Sequence, residues 1–251
     1  MMEKERPVWP FSGSSNRSYF FNKSNIMKKI IALTVLLFSH WVYADDVFKA
    51  YLGAAYELRE QIAQNRSSGN MPKLSDAKVA QLFSIISDHE KLLQGRKYDA
   101  ENIVQLRLMC RTSNKLITSY LSYEGDNSFF SYKDEILTLK AFSVRCTSYL
   151  APLTLDVLKK EGNDEVMQRV VRGIKTTIFD IYRDSLMNMN FADSGNANAL
   201  RLAEALAASS EQYLPFMSLE DREKVTLFAK LIQKSAEPDV RSQLDKIMPC
   251  G

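Results

Sequence analysis

Three cysteines, Cys110, Cys146 and Cys250, are the residues of this chain best suited to covalent chemistry. In an oxidising compartment two thiols that meet form a disulfide. Cys110 lies 16 residues before Asp126, in the turn "EGDNS", and Cys146 lies 20 residues after it. In an antiparallel helical hairpin the two positions then differ by about 6 Å of helix rise. Both also lie on the apolar stripes of their helices. The spacing predicts a Cys110–Cys146 disulfide, with two buried free thiols as the alternative.

The third cysteine, Cys250, stays unpaired in this assignment. It stands next to the C-terminus and far from the hairpin in sequence. An odd cysteine in an exported chain can displace a bridge partner, cross-link two chains or remain a free thiol, and the sequence leaves all three open.

Beyond the first 44 residues, His89 is the only histidine in the chain. A single imidazole excludes the zinc motifs that need two histidines. In "SDHEKLL" it shares a helix face with Leu82 and Leu93, which favours a partly buried structural role over a catalytic one. No G-x-S-x-G turn, phosphate-binding loop or G-x-G-x-x-G motif occurs, and we therefore expect no enzyme activity. A hydrolase that uses carboxylates alone is the alternative.

Two methionines, Met187 and Met189, stand close together in "DSLMNMNF". Thioethers are ligands for copper(I). Residues two apart on a helix, however, point about 200° away from each other. We therefore expect these side chains to fill the core, and we expect no metal or other cofactor.

Apolar residues spaced three and four apart run through almost every segment after Ala44, and no stretch alternates long enough for a strand. The pattern predicts an all-α, single-domain bundle of about seven helices that contains the disulfide-bridged hairpin. The helix over about 128–161 contains Pro152, so we expect a kink or break near Ala151. The next helix has the most regular apolar stripe, and we expect it to pack centrally. Five tyrosines on these middle helices suit a buried seam and a binding face equally: Tyr120, Tyr123, Tyr132, Tyr149 and Tyr182.

The stretch "MKKIIALTVLLFSHWVYADD", which begins at Met27, reads as a secretory signal peptide. It has two lysines, a short apolar run and small residues before a cleavage site between Ala44 and Asp45. The apolar core is shorter than the roughly 20 residues that cross a bilayer, so a retained membrane anchor is the weaker interpretation. We expect cleavage to leave no stable membrane span. The location is then the periplasm, with secretion beyond the cell still open.

The first 26 residues show no helical or strand periodicity. We interpret residues 1–26 as a non-structural extension that results from a misassigned start, or else as a long leader removed with the signal. Residues 27–44 are then the signal peptide and residues 45–251 the mature helical domain. Six of the 33 basic and two of the 30 acidic residues precede Asp45. The remaining 27 basic and 28 acidic residues are nearly balanced, so the mature chain shows no sign of a nucleic-acid partner.

These observations favour a periplasmic protein that acts by binding another protein, for example an immunity or inhibitor protein. The motivation is an exported, nearly neutral, disulfide-bridged helical domain without a catalytic signature. A periplasmic helical protein that binds a small molecule is the second expectation and the carboxylate-dependent hydrolase is the third. Neither the identity of the partner nor the oligomeric state follows from the sequence.

Overall fold

A computed structural model describes residues 46–66, 70–94, 96–99, 102–123, 128–161, 165–190 and 196–248. Within these ranges the regular structure is helical and no strand occurs, which confirms the all-α prediction. The α-helices are α1 (Asp46–Asn65), α2 (Ala77–Ile86), α3 (Ile103–Leu121), α4 (Ser128–Ser131), α5 (Lys133–Glu161), α6 (Glu165–Asn190), α7 (Asn196–Tyr213), α8 (Leu219–Gln233) and α9 (Pro238–Ile247). A π-helical turn, Glu90–Gln94, follows α2, and a 3₁₀ turn, Leu214–Phe216, precedes α8.

Local hydrogen bonds explain where several helices begin. The Asp76 carboxylate accepts from the backbone N–H groups of Lys78 and Val79 at 2.8 and 3.3 Å, and the Ser218 hydroxyl accepts from that of Asp221 at 3.1 Å. These side chains satisfy N–H groups that have no partner within the helix. Pro238 stands at the start of α9, where its missing N–H costs nothing.

Helix α5 is the centre of the bundle. It packs most extensively against α3 on one side and α7 on the other. The helix continues through Pro152 to Glu161, so the chain does not break near Ala151, and the alternative of a kink there stays a prediction. The predicted single helix over 128–161 is instead divided near its start, where α4 ends at Ser131 and α5 begins at Lys133.

Helix α6 was expected at the centre and lies at the side. It packs against α7 and α8 and less extensively against α5. Its C-terminal half buries Ile178 and Tyr182, but Val170 on the same stripe is 42% exposed. A regular apolar stripe shows that a helix is amphipathic. A helix at the periphery of the bundle is amphipathic too, so the stripe does not show that the helix lies at the centre.

The C-terminal helices α7, α8 and α9 share an apolar cluster with α5 and α6. Leu202 and Leu206 of α7 are fully buried there, as is Leu244 of α9. The Tyr213 hydroxyl, at the end of α7, donates to the backbone carbonyl of Val144 at 2.7 Å and so ties α7 to α5.

Contacts within the chain divide it into the units Met1–Ala44 and Asp45–Gly251, and every described residue belongs to the second unit. The predicted extension and signal peptide therefore lie outside the described residues. None of the described helices combines the length and apolar character that crossing a bilayer requires.

Candidate functional site

The predicted disulfide joins α3 and α5. Cys110 and Cys146 are bonded, with their Cα atoms 5.6 Å apart, and both residues are buried. This separation is typical of a disulfide. The two cysteines face each other because each lies on the buried stripe of its helix, as the sequence predicted. Cys250, Ala44 and Asp45 lie outside the described residues.

The tyrosines near the bridge are mostly structural. The hydroxyl of Tyr51 on α1 donates to the carbonyl of Met109 on α3, and that of Tyr120 donates to the carbonyl of Pro72, both at 2.9 Å. Burial raises the pKa of both phenols, which keeps them protonated as donors. Tyr120, Tyr132 and Tyr182 are buried, so for these three the sequence ambiguity resolves in favour of a packed seam.

The two methionines point in different directions. Met187 is half exposed, whereas Met189 is buried against the C-terminal cluster. They therefore form no common thioether site. In the described part of the chain, no three His, Cys, Asp or Glu side chains gather in a way that would hold a metal ion.

One carboxylate, Glu135 on α5, is buried, and no sequence signal marked it out. Burial raises the pKa of its carboxyl group, and a hydrogen bond from the backbone N–H of Leu74 opposes that rise. This bond holds the segment before α2 against α5. Because the carboxylate already has a backbone partner, its role in the structure is architectural.

His89 lies in a polar cleft between the π-helical turn, α5 and α7. We call this feature the polar cleft, and its lining residues are His89, Leu93, Gln94, Arg145, Ser148, Tyr149, Ala208 and Ser209. Burial lowers the pKa of the His89 imidazole, and the positive charge of Arg145 lowers it further. His89 is therefore partly buried, as predicted, but it faces polar groups that the sequence did not place beside it.

A larger groove opens between α1, α2 and the π-helical turn. Its volume is about 460 Å³, within the range of small-molecule sites. The polar lining comes from Asp46, Ser84, Asp88 and Lys91. Asp88 and Lys91 form an ion pair at 3.2 Å across one edge of it.

Helix α8 is apolar on two opposite sides. Its buried side is formed by three residues at helical spacing: Val225, Ala229 and Ile232. Its outer side carries Leu219, Leu227 and Leu231, which are 76, 58 and 49% exposed. We call these three side chains the leucine face. Leu227 follows Val225 by two residues, about 200° around the helix, so it points directly away from the core.

The leucine face is the feature that the fold itself does not explain. A single exposed apolar residue is ordinary on a protein surface. Several exposed apolar residues on one helix indicate an interaction surface more often than isolated ones do. Glu223 and Lys230, also exposed, lie on the same side and supply charges of both signs beside the leucines. The signal was present in the sequence as three leucines that remain after the inner stripe of this helix is assigned.

Comparison with known proteins gives no relative from which a function could be taken. No family model matches the chain, and neither a curated protein nor a solved structure matches it.

Proposed function

We propose that this chain is an exported protein that binds another protein through the leucine face of α8. The observation that carries the proposal is the exposure of Leu219, Leu227 and Leu231 on α8. Leu227 and Leu231 lie opposite the buried stripe, and Leu219 lies at the first turn, toward one flank of that outer side. Covering these side chains would remove apolar surface from water, which is the main driving force of protein association. The partner class is the one expected for an immunity or inhibitor protein.

The shape of this surface indicates the kind of partner. From Leu219 to Leu231 the helix rises about 18 Å, and one convex helix of that length offers little area to a flat partner. A stable interface buries roughly 1,200–2,000 Å² in total. An apolar groove on the partner would enclose the outer side of α8 and bury more of it, as in other complexes in which a helix fills a groove. We therefore assign the occupant as a partner protein with an apolar groove, not a second copy of this chain.

Export is part of the same proposal. The signal-like segment Met27–Ala44 would direct the chain to the periplasm, with cleavage between Ala44 and Asp45. The Cys110–Cys146 disulfide supports an oxidising compartment. Mass spectrometry of the protein purified from a periplasmic fraction should give a mature chain that begins at Asp45. A cytosolic full-length chain with reduced thiols would contradict export.

Binding is tested with two charge-introducing variants. Leu227→Glu places a carboxylate at the centre of the leucine face, and Arg111→Glu places the same carboxylate on the exposed side of α3, where it replaces a positive charge. In quantitative affinity purification from periplasmic extract, the wild type and Arg111→Glu should retain the same stoichiometric partner and Leu227→Glu should lose it. Retention of that partner by all three proteins, or its absence from all three, would contradict the proposal.

The same proteins decide between a partner and self-association. In light scattering coupled to size-exclusion chromatography, the purified wild type should elute as a monomer. A dimer that Leu227→Glu dissociates would assign the leucine face to a second copy of this chain and overturn the choice of occupant.

A small-molecule-binding protein is the second candidate. The groove of about 460 Å³ beside α1 supports it, since its size and mixed polar and apolar lining suit a small ligand. Native mass spectrometry of the purified chain should then show a bound small molecule. Its loss in Ala50→Phe, which fills the groove, would place the ligand there, and an unliganded wild-type mass would count against this candidate.

A further inference from the structure

One residue that lines the polar cleft has a buried hydroxyl group without a hydrogen-bond partner among the described residues. Ser209 on α7 is 1% exposed, and its Oγ atom is unpaired within the described structure. Serines on helices usually bond to a carbonyl of the preceding turn, as the neighbouring Ser210 does to Ala207 at 2.8 Å. A buried polar atom without a partner is costly, and native proteins contain few of them. Ser209 therefore calls for a partner that enters the cleft.

The second unusual group in the polar cleft is a guanidinium. Arg145 on α5 is half-buried, and among the described residues it forms no ion pair. Burial lowers its pKa, while the negative charge of Glu204 acts in the opposite direction. Glu204 is exposed and remains a neighbour at longer range. A partly desolvated positive charge without a contact partner favours an anion.

The remaining polar groups suit the same ligand. Gln94 can donate through its amide, and the His89 imidazole can donate through one ring N–H while neutral. Ser148, also on the lining, already donates to the carbonyl of Arg145 at 2.7 Å. The cleft thus offers several hydrogen-bond donors and one positive charge, which suit an anion. A cation would be repelled by Arg145.

The size of the cleft limits the anion. The cleft is small and opens to solvent, with a volume of about 20 Å³. One water molecule needs at least 10–15 Å³ by this measure. A single water would satisfy Ser209 but would leave the charge of Arg145 uncompensated. A planar carboxylate supplies both an acceptor and a negative charge within a small volume.

We propose that the polar cleft binds the carboxylate group of a small organic acid, with Arg145 and Ser209 as the two principal donors. The acid lies with its carboxylate between α5 and α7 and its remainder toward the open mouth beside His89 and Gln94. This site is separate from the leucine face, and neither proposal depends on the other.

The test measures acetate binding to the full chain at pH 7. Line broadening of the carboxyl resonance of ¹³C-acetate reports binding directly. The wild type should broaden the line. Ser209→Ala and Arg145→Gln should each bind roughly tenfold more weakly, because each removes a hydrogen bond to a charged group.

Ser210→Ala is the matched control, since it deletes a neighbouring hydroxyl that already has a partner outside the cleft. It should bind acetate as the wild type does. Ser209→Ala keeps the test valid should Arg145→Gln fail to fold, because it removes only an unpaired hydroxyl. Absence of broadening with the wild type, or equal broadening with all four proteins, would overturn the site. Binding of phosphate without acetate, seen in the ³¹P line, would overturn the assignment to a carboxylate.

Discussion

Helices α3 and α8 have similar buried sides but different exposed sides. Each buries a stripe of apolar residues in the bundle. The outer side of α3 is mainly polar and carries three exposed basic residues at four-residue spacing: Arg107, Arg111 and Lys115. Its exposed apolar residues, Val104, Leu108 and Leu121, are only 38, 37 and 39% exposed. The outer side of α8 instead carries the leucine face.

This difference distinguishes the apolar residues that folding buries from those that it leaves exposed. The amphipathic pattern of α3 is complete, since burial accounts for most of its apolar residues. In α8 burial accounts for the inner stripe only, and three leucines stay in water at a cost that the fold does not recover. Helix α3 is thus part of the scaffold, and α8 carries the surface that we propose for binding.

The largest expected effect concerns the inner side of α3. Removing the bridge with the double substitution Cys110→Ala and Cys146→Ala should lower the free energy of unfolding by about 3.5–4 kcal/mol. The reason is that the bridge closes a loop with a sequence separation of 36 residues and restricts the unfolded chain. Urea unfolding measures the change. Cys250→Ala, which leaves the bridge intact, is the control, and equal stability of the two variants would contradict the role of the bridge.

The next effect concerns the inner side of α8 and uses two adjacent residues. Ile232 is buried, and Ile232→Ala should cost about 3 kcal/mol through lost apolar burial and the cavity that remains. Its neighbour Leu231 points outward, so Leu231→Ala should change stability by less than about 0.5 kcal/mol. Urea unfolding of both variants measures the contrast. Similar losses for the two would show that the outer side of α8 is also packed, and the comparison with α3 would fail.

A smaller effect is expected where α1 meets α3. Tyr51→Phe deletes the hydroxyl that donates to the carbonyl of Met109 and should cost about 1 kcal/mol. Tyr56→Phe is the matched control on the same helix, because Tyr56 is 64% exposed. Thermal or urea unfolding separates the two. Equal stability of both variants would mean that the buried hydroxyl does not help to hold α1 against α3.

The smallest expected effect is that the stability of the fold depends on pH through Glu135. Burial raises the pKa of Glu135 above its ordinary value of about 4.5, so the fold favours the protonated carboxyl. The unfolded chain loses this proton first, and stability therefore falls as pH rises from the ordinary pKa through the raised one. Glu135→Gln keeps an oxygen that can accept from Leu74 and removes the charge. Relative to the wild type it should gain stability from pH 4 to pH 7, and parallel pH profiles would contradict this.

Sequence spacing predicted the helices and the bridge because both depend on local periodicity. Cys110 and Cys146 could be paired since each stands on an apolar stripe at a similar distance from one turn. The central position of α5 and the lateral position of α6 could not be predicted, because periodicity gives the buried side of a helix and not its neighbours. Pro152 did not end α5 as its local preference suggests, since the surrounding packing outweighs that preference.

The candidate sites were less predictable for the same reason. The polar cleft brings together His89, Arg145 and Ser209 from three separate elements, and no motif in the sequence joins them. The leucine face was visible only as an excess of apolar residues in one helix. Its meaning required knowing which side of α8 the core had taken.

Site-specific photo-crosslinking in living cells tests the central claim most directly. A photoreactive amino acid is placed at Leu227, on the leucine face, or at Arg111, on the basic outer side of α3. The account predicts one discrete crosslinked product with a second protein from position 227 and none from position 111. Absence of a product from position 227, or the same product from both positions, would contradict the claim that the leucine face is where this protein meets its partner.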